Sequence, residues 1–309
     1  MSSPPPDPQR QAGGIAMGAA AYLLWGVFPL YFSWLAPASA IEVLAHRIAW
    51  SSLTCVIVVL LTRTGRGLLT AARQPGVLPR LGLAALLVST NWLIYVAAVM
   101  TGHVVEAALG YYINPLLTVL LGVVVLRERL RRTQWIAIAL ALGAVAVLTA
   151  GFGRPPWIAF ALAASFALYG LMKNRVGGRI GALHSLTIET SLLLPVALPL
   201  ILWLQMTGRG TFTSDGGVHA LLLAMSGVVT TVPLILFAAS AARIPLSTLG
   251  LLQYLTPTAQ LLMGVLVLGE QMTPVRWGGF ALVWLALVVL SVDTLRSARR
   301  RERRLPPPA

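Results

Sequence analysis

Charge is what this sequence has least of. Only 10% of its 309 residues are charged, nine of them are acidic, and a single lysine, Lys173, stands among 23 basic residues. A soluble domain is about 25% charged, and its surface needs far more charge than this chain has. Water-soluble enzymes, disordered chains and coiled coils are therefore excluded. Cysteine occurs once, at Cys55, which rules out internal disulfides and Cys-based metal sites. No GxxxxGK[ST] phosphate loop is present, so ATP is not the direct drive. His46, His103, His184 and His219 sit on separate segments without metal-ligand spacing, and neither an Asp pair nor a G-x-S-x-G turn occurs. The chain thus offers no catalytic residue, no metal site and no cofactor motif.

Apolar residues fill the space left by charge. They make up 57% of the chain, and the mean hydropathy is +0.81. They gather into ten runs, 13–32, 39–61, 81–100, 104–126, 134–151, 157–172, 184–205, 218–239, 245–268 and 275–295. Each approximates the ~20 residues that a membrane span requires. The fifth and sixth are short, and Gly153-Arg154-Pro155-Pro156 separates them, because a proline pair breaks a helix. The sequence predicts an all-α membrane protein with disordered, cytoplasmic tails at 1–12 and 296–309.

A net charge of +14 is compatible with nucleic acid, but the basic residues lie in short clusters between apolar runs. That is the pattern of cytoplasmic loops facing anionic lipid, so the bilayer is the expected partner and nucleic acid is not. Nineteen basic residues fall on the side that carries both termini. Three, Arg154, Arg209 and Arg276, fall on the other, and Arg47 lies within a span. Both termini are therefore expected in the cytoplasm.

A shift of 142 residues lays the fourth run on the ninth without a gap. Tyr112 meets Tyr254, Pro115 meets Pro257, Gly122 meets Gly264, Glu128 meets Glu270 and Trp135 meets Trp277. The repeats, 13–151 and 157–295, hold five spans each. Five is odd, so the two halves insert in opposite senses. The turn after Glu128 is rich in arginine, whereas its counterpart after Glu270 has none of those arginines. Inverted repeats are the usual build of secondary transporters, which bind their solute near the midplane between the halves.

The segments 42–51 (EVLAHRIAWS), 91–96 (NWLIYV), 106–116 (EAALGYYINPL), 182–190 (ALHSLTIET) and 251–258 (LLQYLTPT) resemble the RarD branch of the EamA domains, in the drug/metabolite transporter superfamily. The resemblance covers about residues 13–296. It implies a ten-helix carrier of the bacterial inner membrane that exports small organic molecules, with a lumen lined by spans 1, 3, 4, 6, 8 and 9. The branch's name is attached to chloramphenicol sensitivity. Ala97 departs from the tryptophan expected in this branch and reshapes the lumen that the resemblance implies.

Helical geometry selects the residues that could line a path. His103, Glu106, Gly110 and Asn114 share one arc of the fourth span at ~100° per residue, and Tyr111 and Pro115 lie beside it. Gln253, Tyr254 and Pro257 occupy the matching part of the ninth span, and Asn91 and Tyr95 share a face of the third. Pro115 and Pro257 free the carbonyls of Tyr111 and Gln253, and matched interrupted helices point to a transporter's site. Glu106 is the candidate for exchanging a coupling proton.

Glu42 and His46 form an i, i+4 pair on the second span, next to Arg47, whose repeat mate is Glu189. A buried arginine needs a carboxylate, so the expectation is a structural contact from Arg47 to Glu42 or Glu106. A lipid flippase of the same fold and a non-transporting receptor or scaffold stand as alternatives to a small-molecule carrier. The oligomeric state is not legible.

Overall fold

The computed structural model describes residues 8–126, 132–176 and 180–302, and every regular element among them is helical. The first span is α1 (Pro8–Gly26) followed by α2 (Phe28–Ser33). Val27 interrupts it because Pro29 cannot donate to the helical ladder and starts a helix afresh. α3 (Ala40–Leu61) begins where the Ser39 hydroxyl accepts the Glu42 N–H at 3.2 Å, an N-cap that satisfies an otherwise orphaned donor. α4 (Gly65–Ala72) is a short helix inside a segment read from the sequence as loop. α5 (Val77–Met100), α6 (Val104–Leu126) and α7 (Arg132–Phe152) complete the first repeat.

The chain reverses at Gly153, whose φ of +71° suits glycine, and the proline pair then leads into α8 (Trp157–Val176). α9 (Ala182–Met206) and α10 (Gly216–Ala241) follow. The ninth span is broken into α11 (Leu246–Leu252), α12 (Leu255–Leu262) and a π-helical turn, Met263–Val267. Its break at Gln253-Tyr254 falls at the carbonyl to which Pro257 cannot donate, and the Thr256 N–H donates to it instead at 3.3 Å. α13 (Pro274–Glu302) runs past the expected end at 295, and residues 8–12, read as tail, belong to α1. Glu128 and its turn lie outside the described residues.

Nine helical runs among the described residues are long and apolar enough to cross a membrane, and Trp157–Lys173 is a shorter apolar one. The protein is a ten-helix membrane bundle of two inverted five-helix repeats, α1–α7 and α8–α13. Leu61, Leu266 and Met206, exposed by 74–87%, point outward as lipid-facing side chains do.

Exchanging the two repeats maps the main interfaces onto one another. α1 packs on α10 as α8 packs on α5; α6 packs on α8 as α12 packs on α1; α3 packs on α10 as α9 packs on α5. The pairs α3–α9, α6–α12 and α7–α13 are their own mates. One buried cluster, containing Phe28, Phe32, Val43, Tyr95, Leu162 and Leu223, joins both repeats at the centre. A second, around Tyr112, Leu148 and Phe280, ties α6 and α7 to α13. α10 touches α3 so closely that a Cβ on Gly227 would stand 2.3 Å from the Trp50 carbonyl, so only glycine fits.

Candidate functional site

α3, α6, α8 and α10 all begin at one end of the bundle, and buried carboxylates tie that end together. Glu106, in the first turn of α6, accepts from Arg154 Nη2 at 2.6 Å and from the Ile158 amide at 2.9 Å, at the start of α8. A carboxylate is favoured there by the free amides and the positive end of the helix dipole. Glu270 does the same for α6, accepting from the Val104 and Val105 amides at 2.5 and 3.0 Å. Burial pushes the Glu270 carboxyl above its ordinary 4.5, while those two amides and the nearby His103 and Arg276 pull it the other way. A cavity of about 240 Å³ lies between His103, Glu106, Arg154, Glu270 and Arg276. Glu42 holds the loop before α10, accepting from the Thr211 amide at 2.6 Å and its hydroxyl at 3.1 Å; that hydroxyl also bonds His219 Nε2 at 2.7 Å.

The expected contact from Arg47 to a carboxylate is not what forms. Five residues turn a helix by ~140° beyond a full circle, so Glu42 and Arg47 leave α3 in different directions. Glu106 is taken by Arg154 and α8. Arg47, 3% exposed, instead donates from Nε to Thr230 Oγ1 on α10 at 2.9 Å. Its guanidinium lies 4.2 Å from the Trp92 ring centre, 5.2 Å from Phe32 and 5.6 Å from Phe28. His46 stacks on Phe212 at 4.7 Å and accepts the Trp50 indole N–H at 3.2 Å, so the i, i+4 spacing from Glu42 does not make a pair. Glu189, the repeat mate of Arg47, has a cation of its own: Lys173 at 2.7 Å, with Ser185 and Tyr169 also donating.

The third and fourth spans bring several expected path residues together. Asn91 is buried, donates to the Leu162 carbonyl and Ser165 at 3.0 Å, and accepts the Tyr111 hydroxyl at 3.2 Å. Ring contacts run from Phe32 to Tyr95 (6.0 Å), Tyr111 (5.7 Å), Phe166 (6.1 Å) and Tyr169 (5.9 Å). This series leads from the buried centre toward the Lys173–Glu189 end. Buried polar atoms without partners, Tyr95 Oη and Asn114 Oδ1, lie along the same helices. Gly110 is at a tight crossing, where a Cβ would meet the Ala159 carbonyl at 2.9 Å, so it serves the packing of α6 on α8.

On the other repeat, Gln253 and Tyr254 are half-buried at the α11–α12 break, and Pro257 is buried in α12. Tyr112, the repeat mate of Tyr254, bonds Thr258 at 2.7 Å and joins the spans of Pro115 and Pro257. Sequence reasoning missed Arg154, Lys173, Trp92, Thr211 and Thr230. Only Lys173 carried a signal, as the sole lysine in the chain.

The profile of the EamA-like transporter family matches residues 12–150 and 155–292, one copy on each repeat. The chain is 48% identical to the protein RarD of Streptomyces exfoliatus, over 96% of this chain and 93% of that one. It is 37% identical to the protein RarD of Escherichia coli K12, over 95% and 99%. A crystal structure 20% identical to it superposes with a TM-score of 0.59, covering 90% of this chain and 97% of that one, and shares the fold alone.

Proposed function

Because this chain belongs to the RarD branch of the EamA-like transporter family, we propose that it is a secondary carrier of the bacterial inner membrane, exporting small organic molecules by alternating access between its repeats. The exchange symmetry of the helix interfaces carries this reading. When each interface has a mate in the other repeat, a bundle sealed at one end has a counterpart sealed at the other. Two such packings differ little in free energy, which is what a carrier needs.

The carboxylate bonds of Glu42, Glu106 and Glu270 support a state sealed at one end, and the positive-inside pattern supports an outer-face location for that end. Both termini then lie in the cytoplasm, and the repeats are 13–151 and 157–295. The path runs past Asn91, Tyr95, Tyr111, Asn114 and Pro115 in the first repeat and Gln253, Tyr254 and Pro257 in the second. Glu106 is the candidate for proton exchange.

Counterflow in proteoliposomes tests the reading. Preloaded unlabelled solute should drive uptake of its labelled form, and this exchange should vanish when the two repeats are cross-linked across the Tyr112–Thr258 contact. Phospholipid scrambling without solute exchange would replace the carrier with a flippase. Unchanged proton dependence in Glu106→Gln would remove Glu106 from coupling.

A further inference from the structure

The bundle gives its buried carboxylates partners: Glu42 accepts from an amide and a hydroxyl, and cations meet Glu106 (Arg154) and Glu189 (Lys173). Arg47 is as deeply buried, yet among the described residues no carboxylate pairs with it, and its Nη1 has no hydrogen-bond partner there. Thr230 satisfies Nε only. The faces of Trp92, Phe32 and Phe28 attract the cation through their quadrupoles, but none of them carries a neutralising charge. An unneutralised guanidinium in a membrane interior is costly and by default marks a function. Beside it, Tyr95 Oη is a second buried polar atom without a partner, within electrostatic reach of Arg47. Arg47, on α3, bonds Thr230 on α10, and Tyr95 belongs to the buried cluster that joins the repeats, so both groups lie where the two halves meet.

We infer that Arg47 is the recognition group for an organic anion, and that the solute this protein carries bears a carboxylate. The inference rests on the carrier reading above. The carboxylate supplies the charge missing around Arg47 and accepts from Nη1, and the Tyr95 hydroxyl donates to its second oxygen. A planar guanidinium suits a carboxylate better than a spherical ion does. The apolar body of the solute lies along Tyr111 and Phe166, which are less buried than Tyr95 and lead toward the Lys173–Glu189 end. Arg47 cannot shed its proton in practice, so the empty site keeps its charge and favours an anion at any physiological pH.

The test uses the full-length protein in nanodiscs and four matched pairs: hexanoate and hexanamide, benzoate and benzamide, phenylacetate and phenylacetamide, indole-3-acetate and indole-3-acetamide. Binding to the folded state raises the unfolding temperature. At least one carboxylate should raise it while its amide does not. Arg47→Gln should weaken that carboxylate by roughly 10- to 100-fold, the worth of one charge-assisted hydrogen bond. Arg47→Lys, which keeps the charge and guards against misfolding of the first variant, should retain the preference for the anion. The inference is overturned if amides stabilise as well as acids, if Arg47→Gln keeps the preference, or if sodium chloride alone saturates the effect. Counterflow of the same compounds separates the two claims. Amides moved equally well by wild type and Arg47→Gln leave the carrier standing and remove the anion. No compound bound and none moved removes both.

Discussion

Lys173 stands alone among 22 arginines, and it is placed where its charge has most to do. Glu189 is 1% exposed and depends on Lys173 for a cation. Lys173→Met leaves that carboxylate buried with only neutral donors. Removing one partner of a buried pair costs 3–5 kcal/mol, but Lys173 is 30% exposed, so water screens part of the loss. We expect destabilisation of about 2 kcal/mol, read as a fall in unfolding temperature, with Lys173→Arg much closer to wild type. Arg47 leads to the opposite expectation. Arg47→Met gives up ring contacts worth about 0.5–2 kcal/mol each, but it orphans no carboxylate and removes an unneutralised charge whose burial costs several kcal/mol. Its unfolding temperature should equal or exceed that of wild type; a large fall would show that the rings alone compensate the cation. Sequence identified Arg47 as a buried charge and chose the wrong partners for it. Which carboxylate reaches a guanidinium depends on side-chain direction and on competing donors such as the Ile158 amide, and neither is written in residue spacing.

Among the elements, the apolar runs were legible because a bilayer imposes length and hydropathy on each span separately. α6 begins and ends where its run does, at Val104 and Leu126. Breaks were less legible. Pro115 stays inside an unbroken helix, while its mate Pro257 lies just past a break at Gln253-Tyr254, because tertiary contacts decide whether a freed carbonyl bends or parts a helix. The α3–α10 interface has a specific weak point. Gly227→Ala forces a methyl against the Trp50 backbone, which cannot yield as a side chain does. The expected cost is about 1–3 kcal/mol, measurable by thermal unfolding. Glu270, whose carboxylate accepts from the first amides of α6, gives a pH test. Its carboxyl is raised by burial, so its contribution to stability is fully present below the ordinary 4.5 and is lost as pH rises through the elevated value. Wild type should lose unfolding temperature over that interval relative to Glu270→Gln, whose amide does not titrate; parallel pH curves would count against this.

For the whole molecule, the repeat was the most informative feature of the sequence, since a gapless 142-residue shift announces two halves and an odd span count inverts them. The mated interfaces are its structural expression. Orientation in the membrane is open to direct measurement, because Cys55 is the chain's only thiol and is buried. In a Cys55→Ser background, Gln271→Cys should react with a membrane-impermeant maleimide added outside intact cells, and Glu128→Cys should react only after permeabilisation. The same compartment for both would end the inverted arrangement.

Under the proposed alternating-access cycle, the carboxylate-tied end has one more consequence. Glu42, Glu106 and Glu270 now hold backbone amides and a guanidinium, and when the halves part there only solvent can replace those partners. Opening therefore draws water into a narrow crevice, so the equilibrium between the two forms has a hydration number. A bulky polymer excluded from that crevice lowers the activity of water everywhere else. It should trap the protein in its shut form and slow exchange in proportion to osmotic pressure, although it touches no residue of the path.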